Sequence, residues 1–165
     1  MTRRYVQALA VTILISVPLM AQTAPQAPPP PAAPIPGPTL ASADKMLTAA
    51  RAKATELGIT LSCAIVDVHG DLVAAVRMDG QGFLTMTVAQ GKARTSALTG
   101  QPSGGLGERG AGFQAIGTAL GQTVLTVQGA VPIVQGGRRV GGIGCSGGTG
   151  QQDEDSARAG VMAAQ

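Results

Sequence analysis

The chain contains very few aromatic side chains. Its 165 residues include no tryptophan, one tyrosine and two phenylalanines. Tyr5 lies close to the N-terminus, so Phe83 and Phe113 are the only rings in the rest of the sequence. Proteins that bind single-stranded nucleic acids usually stack the bases on aromatic side chains. Two widely separated rings cannot provide such a surface, which argues against the usual single-strand-binding folds.

Charged residues are also scarce, and the basic excess is small. Only 13% of the residues are charged, with 12 basic and 9 acidic side chains. Arg3 and Arg4 precede an apolar stretch that ends near Ala21, a pattern typical of a secretory signal peptide over residues 1–21. Cleavage there leaves 10 basic and 9 acidic residues. This balance gives no electrostatic reason to expect nucleic acid or an acidic membrane as a partner.

The signal predicts a periplasmic or extracellular protein. Its apolar stretch is short for a membrane span, which needs about 20 apolar residues. We therefore expect cleavage, and no membrane insertion afterwards. An uncleaved N-terminal anchor is the alternative interpretation of the same residues.

A proline-rich segment follows the predicted signal. Residues 25–38 hold 8 of the 11 prolines, and proline can neither continue a helix nor pair within a central strand. Residues 22–38 are therefore predicted to be a semi-stiff linker in polyproline-II conformation, although such segments can also be ligands of aromatic grooves. The remaining residues, 39–165, are enough for one domain with its own core.

Helical and strand patterns both occur in this domain. Alanine-rich stretches with apolar residues at helical spacing predict helices, and short branched apolar runs bounded by glycine predict strands. The predicted helices cover residues 41–57, 86–98, 113–120 and 152–164, and the predicted strands cover 59–67, 72–78, 123–128, 131–135 and 138–145. Tight turns between consecutive strands indicate an α+β fold, with an antiparallel sheet covered by helices.

The glycine-rich run at residues 142–148 matches two enzyme signatures at once. GxGxxG is typical of dinucleotide-binding turns, and GxSxG is typical of serine nucleophiles. Only 18 residues follow Gly147, too few for the second strand that a dinucleotide needs, and the sole histidine, His69, lies upstream of Ser146. We therefore interpret the run as the end of a strand whose glycines allow another part of the protein to approach closely.

Several sequence blocks resemble the GlcG/HbpS haem-binding family and the similar C-terminal domain of PduO-type proteins. The blocks are AIVDVHGDLV at 64–73, RMDG at 77–80, VAQGKART at 88–95, GAVPI at 129–133 and VGGIGCSG at 140–147. Together they extend over nearly all of residues 39–165. The resemblance implies a five-stranded antiparallel sheet flanked by helices, in a profilin-like layout with strand order 2-1-5-4-3. It also implies a homo-oligomer, and haem binding by exported members that act as sensors or scavengers.

The same strand order would place Cys63 and Cys145 on neighbouring strands. A cross-strand disulfide then requires that the two residues face each other in register and that the compartment is oxidising. Two separate buried thiols are the alternative, which we favour because cysteine packs well as a small apolar residue and the disulfide geometry is demanding.

A haem site needs an apolar slot for the macrocycle, a donor for the iron and cations for the propionates. The resemblance places cofactor-binding residues on the second predicted helix: Met86, Lys92, Arg94 and Thr95. We expect Lys92 or Arg94 to meet a propionate and Thr95 to lie close to the ligand. The alternatives are solvated or ion-paired charges for the two basic residues, and core packing for Met86.

The residue that would hold the iron is left open by the sequence. His69 is the commonest ligand type, but its position in a predicted hairpin turn favours a solvated residue. Cys145 could bind iron as a thiolate, although its place between glycines favours packing. No catalytic residue is assigned, and the metal ligand is unknown.

Three functions remain open at this point. The first is an exported haem-binding or haem-handling protein, acting as a sensor or scavenger. The second is a catabolic enzyme for a small carboxylate or hydroxy acid, in which Asp67, His69, Asp71 or Asp79 transfers a proton. The third is a non-catalytic oligomeric binding module.

Overall fold

A computed structural model describes residues 37–165. The predicted signal peptide at 1–21 lies outside the described residues, as does all of the predicted linker at 22–38 except its last two positions. Both assignments stay predictions, and so does the start of the domain at residue 39.

Four helices and four strands make up the described chain. They are α1 (Leu40–Glu56), β1 (Ser62–Asp67), β2 (Leu72–Arg77), α2 (Phe83–Thr99), α3 (Arg109–Ala119), β3 (Ala130–Gln135), β4 (Arg138–Ser146) and α4 (Gly150–Met162). Threonine side chains begin two of the helices, because Thr39 accepts the amide of Ser42 and Thr149 forms a capping box with Gln152. No helix among residues 37–165 is both long enough and apolar enough to cross a membrane.

The strands form one antiparallel sheet in the order β2-β1-β4-β3. The first and last strands of the chain therefore pair at its centre, as the resemblance implied. Since side chains alternate between the faces of a strand, the sheet has two differently packed surfaces. One carries Cys63, Ile65, Ile143 and Cys145 beneath α1 and α4; the other is covered by α2, whose Ala93 and Ala97 cluster with Val66.

The surface beneath α2 is made largely of backbone. A Cβ atom added to Gly142 would lie 2.8 Å from the amide nitrogen of Ala97, and one added to Gly144 would lie 2.6 Å from that of Ala93. Real Cβ atoms do not approach backbone so closely. The close approach predicted for the glycine run is confirmed, and the approaching element is the protein's own second helix.

The sheet has four strands, so the prediction of five was wrong. Residues 123–128 do not pair with β3, although their branched side chains are typical of a strand. Their backbone groups bond elsewhere: the amide of Leu125 donates to the carbonyl of Gly91 in α2 at 3.2 Å, and the carbonyl of Val127 accepts from Ser103 at 2.6 Å. These contacts hold the segment beside α2, where it does not join the sheet.

The two cysteines are joined, contrary to the favoured expectation of separate thiols. Cys63 and Cys145 are directly opposite in the β1–β4 register, with a Cα–Cα distance of 4.1 Å, and form a disulfide. The amide of Cys145 donates to Gly129, on the other side of β4, so the cysteines occupy a non-hydrogen-bonded pair. Such pairs hold opposing side chains closest together in an antiparallel sheet, which makes the bond geometrically accessible.

Candidate functional site

An apolar slot opens between α2, α3 and the extended segment that follows α3. Its volume is about 140 Å³. The lining residues come from three parts of the chain: Thr95, Leu98 and Thr99 from α2; Phe113, Ile116, Gly117, Leu120, Gln122 and Val124 from α3 and the segment after it; and His69 from the turn between β1 and β2. We call this the α2–α3 slot.

The α2–α3 slot is formed by an apolar stripe on α3. Phe113, Ile116 and Leu120 follow one another at three and four residues, so they lie on one side of the helix. Gly117 lies between them, and a Cβ atom at this position would be only 2.7 Å from Cγ2 of Val124. The glycine therefore allows the extended segment to fold back against α3 and close one end of the slot.

Large apolar side chains remain exposed around the slot. Ile116 is 57% exposed, Leu120 is 71% exposed and Leu98 is 44% exposed. Exposed apolar side chains that cluster around a concavity are typical of a surface that binds a ligand or another protein. The α2–α3 slot is the described concavity where such residues converge with the sole histidine.

His69 reaches the slot from a turn that Asp67 holds. The Asp67 carboxylate oxygen Oδ1 accepts the amides of His69 at 2.9 Å and Asp71 at 3.0 Å. Gly70 takes a positive φ of 86° in the same turn, a conformation that glycine adopts without strain. The turn was predicted, and His69 is exposed as expected. The sequence did not predict that this imidazole would line an apolar slot.

Arg94 lies next to this turn. Its Nε donates to the carbonyl oxygen of Gly70 at 3.0 Å, and its Cγ would lie 3.3 Å from a Cβ atom at Gly70. On α3, the guanidinium of Arg109 stands 5.7 Å from the ring centroid of Phe113, a cation–π distance. Arg94 on α2 therefore contacts the turn that carries His69, and Arg109 on α3 contacts the lining residue Phe113.

Thr95 is fully buried and lines the slot. Its Oγ1 lies 3.0 Å from the carbonyl oxygen of Gly91 and 2.8 Å from that of Leu125. The hydroxyl proton is thus engaged by backbone carbonyls, and the side chain fastens the extended segment to α2. Of the four predicted site residues, Thr95 lines the slot and Arg94 bonds the turn that carries His69.

Lys92 lies inside the protein, away from the slot. Its Nζ donates to the Asp153 carboxylate at 2.8 Å and to the carbonyl of Cys145 at 3.1 Å, and the residue is only 4% exposed. A Cβ atom at Gly129 would lie 2.9 Å from Cβ of Asp153, so the glycine makes room for this ion pair. The structure gives the charge an internal partner; its assignment to a propionate stays a prediction.

Met86 lies in the first turn of α2, where it is half-buried. Nine residues separate it from Thr95, which corresponds to roughly 14 Å along a helix axis. It is not among the residues that line the α2–α3 slot. The structure therefore does not bring Met86 and Thr95 together at the slot.

The apolar lining residues Leu98, Ile116, Leu120 and Val124 were missed as site residues. The spacing of Phe113, Ile116 and Leu120 was a usable signal, because it places three apolar side chains on one side of a short helix. The sequence holds no such signal for Val124. Residues 123–128 have the pattern of a strand, whereas in the structure they lie outside the sheet and Val124 lines the slot.

The carboxylates named for proton transfer do not line the slot. Asp67 holds the turn through backbone amides, and Asp79 lines a different groove. Among residues 37–165 no three or more histidine, cysteine, aspartate or glutamate side chains cluster in a way that could hold a metal ion.

The fold and the slot define an α+β protein with a central antiparallel sheet, helices on both faces, and a lateral apolar slot served by one imidazole. The chain belongs to the HbpS-like family: the family described as haem degrading protein HbpS-like matches residues 39–162. The resemblance seen in the sequence is thereby confirmed.

Three relatives illustrate the similarity. An uncharacterized 15.0 kDa protein of Citrobacter freundii, from the dhaT-dhaS intergenic region, is 30% identical over 118 residues, which are 70% of this chain and 83% of that protein. A double mutant of Streptomyces reticuli HbpS is 32% identical with a TM-score of 0.71, covering 85% of this chain and 96% of its own. The PduOC:heme complex is 25% identical with a TM-score of 0.68, covering 77% and 94%.

Proposed function

We propose that this protein is an exported haem-binding or haem-handling protein that receives haem at the α2–α3 slot. The observation that carries the proposal is the convergence of the sole histidine and an apolar stripe on one concavity. Arg94 bonds the turn that carries His69, and Arg109 lies against the ring of Phe113. Support comes from the haem degrading description of the family and from a relative whose crystal structure is a complex with heme.

The side chains of the slot fit the chemistry of a haem. An imidazole is a common axial donor, and an apolar lining suits the macrocycle. In this proposal His69 holds the iron, and Leu98, Ile116 and Leu120 contact the porphyrin. The Nε of Arg94 is used by Gly70, which leaves its two terminal amino groups to meet a propionate. The bound iron would supply redox chemistry that these side chains cannot.

The slot of one chain is too small to enclose a haem. Pockets that enclose ligands of this class have volumes of several hundred cubic ångströms, whereas the slot has about 140 Å³. The exposed Leu98, Ile116 and Leu120 surround the opening. We therefore propose that the protein works as a homo-oligomer in which a second surface covers the rest of the macrocycle.

Export and a role as sensor or scavenger complete the proposal. They are supported by the signal pattern at residues 1–21 and by the cross-strand disulfide, which is stable in an oxidising compartment such as the periplasm or the extracellular space. We propose one of these two locations for the mature protein.

Hemin titration followed by absorption spectroscopy tests the proposal. We expect a saturable, shifted Soret band with the wild-type protein. His69→Ala should change the position of the band because the iron loses its imidazole, and Ile116→Asp should weaken binding about tenfold or more because a charge would enter an apolar contact. The control is Arg138→Gln, an exposed position in the β3–β4 hairpin, which should change neither quantity.

The outcomes separate the three functions considered from the sequence. Absence of a saturable Soret band would remove haem as the ligand. A stable multimer without that band would favour a non-catalytic binding module. An unchanged band in His69→Ala would show that the iron is held by another group.

A further inference from the structure

A second concavity lies on the opposite side of the sheet from the α2–α3 slot. It is formed between α1 and the end of β2, and its volume is about 560 Å³. Polar side chains dominate the lining: Thr48, Arg51 and Thr55 from α1, Thr60 from the segment before β1, and Arg77 and Asp79 at the end of β2. We call it the α1–β2 groove; it shares no lining residue with the slot.

Two guanidinium groups in the groove lack an ionic partner within the described chain. The three ion pairs among residues 37–165 involve Lys53, Lys92 and Arg158. Arg51 makes only a long contact of 3.5 Å from Nη2 to Oγ1 of Thr48. Arginine presents a planar set of hydrogen-bond donors that matches a carboxylate. Arg51 and Arg77 can therefore each bind one carboxylate group of a ligand.

A single carboxylate lies in the same groove. Asp79 lines it beside the two arginines, without an ion pair to either within 4.0 Å. Thr60, another lining residue, is held in place because Nε2 of Gln81 donates to both its carbonyl and its hydroxyl at 2.6 and 2.7 Å. The groove therefore presents two positive charges and one negative charge.

We propose that the α1–β2 groove binds a small acidic amino acid, with its carboxylates at Arg51 and Arg77 and its ammonium at Asp79. A ligand with two negative charges and one positive charge is complementary to the charges of the groove. Because Arg51, Arg77 and Asp79 are all exposed, complementarity here acts through attraction and orientation of the ligand. The proposal does not depend on haem binding.

Isothermal titration of the protein with L-glutamate, and separately with glutarate, tests this site. We expect saturable binding of glutamate, weakened roughly tenfold or more in Arg51→Gln and in Arg77→Gln because each removes a charge-assisted hydrogen bond. Asp79→Asn should weaken glutamate binding but not glutarate binding, since glutarate has no ammonium group and is a dianion that the Asp79 carboxylate repels. The control is Arg138→Gln, which removes an exposed arginine outside the groove and should bind glutamate normally.

Two results would overturn the proposal. One is the absence of saturable glutamate binding to the wild-type protein. The other is an equal loss of binding in Arg138→Gln, which would show a general effect of net charge. Hemin binding measured on the same variants should stay at the wild-type level, so a failure here is distinguishable from a failure of the haem proposal.

Discussion

Lys92 forms a buried ion pair that joins three elements of the fold. Its ammonium group bonds both to the Asp153 carboxylate of α4 and to a carbonyl of the central strand β4, and both side chains of the pair are at least 95% buried. A buried ion pair contributes little net stability compared with apolar packing, but the loss of one partner leaves the other charge buried alone. Lys92 thus specifies how three elements meet.

Lys92→Met is expected to destabilise the protein by about 3–5 kcal/mol, because Asp153 would stay buried without its counter-charge. The matched control is Lys53→Met, which breaks a pair of similar length with Glu56 at the surface and should cost less than about 1 kcal/mol. Urea unfolding followed by circular dichroism measures both. Equal losses in the two variants would contradict the structural role of the buried pair.

The sequence predicted the helix that carries the candidate site residues better than the direction in which each side chain points. Lys92, Arg94 and Thr95 were correctly assigned to one helix, but three residues on a helix point in different directions. Only the packing of that helix against a sheet decides which of them faces inward. The glycines of β4 and Gly129 settle this orientation, and their effect depends on contacts far away in the sequence.

At the scale of elements, the disulfide joins the two central strands. Cys63 in β1 and Cys145 in β4 are 82 residues apart, and the disulfide lies in the core beneath α1 and α4. Most elements were predicted correctly because each has its own local pattern. Residues 123–128 were not, since a strand pattern does not reveal that a neighbouring helix supplies the hydrogen-bond partner.

Removal of the disulfide by Cys63→Ala with Cys145→Ala is expected to lower the free energy of unfolding by about 2–5 kcal/mol, because the unfolded chain regains the entropy of a long loop. Guanidinium unfolding of the double variant against wild type measures the loss. The wild-type protein in a reductant should unfold at the same midpoint as the double variant. A midpoint in reductant equal to that of the oxidised protein would show that the bond does not form in solution.

At the scale of the whole molecule, the exposed apolar surface around the slot predicts self-association. The surface comprises Leu98, Ile116 and Leu120, and an oligomer that buries it would remove these side chains from water. The sequence predicted oligomerisation only through the family resemblance. The apolar surface itself could not be predicted, because it is formed by two helices whose proximity the sequence does not reveal.

Light scattering should therefore give a mass that is a multiple of the chain mass. Leu120→Glu should lower that mass, because a carboxylate would be placed within the contact surface. Met162→Glu is the control, since Met162 is 73% exposed at the end of α4 and lies outside the slot. A wild-type monomer, or the same reduction in both variants, would argue against assembly through this surface.

The position of the two cysteines has a further consequence for the slot. Between residues 63 and 145 lie β2, α2, α3 and β3, together with His69 and every other lining residue of the slot. The disulfide therefore closes one covalent loop that contains every lining residue of the slot. A protease that cut the connection between α2 and α3 would leave both fragments attached to each other, so a nicked molecule would stay one covalent unit until a reductant released it.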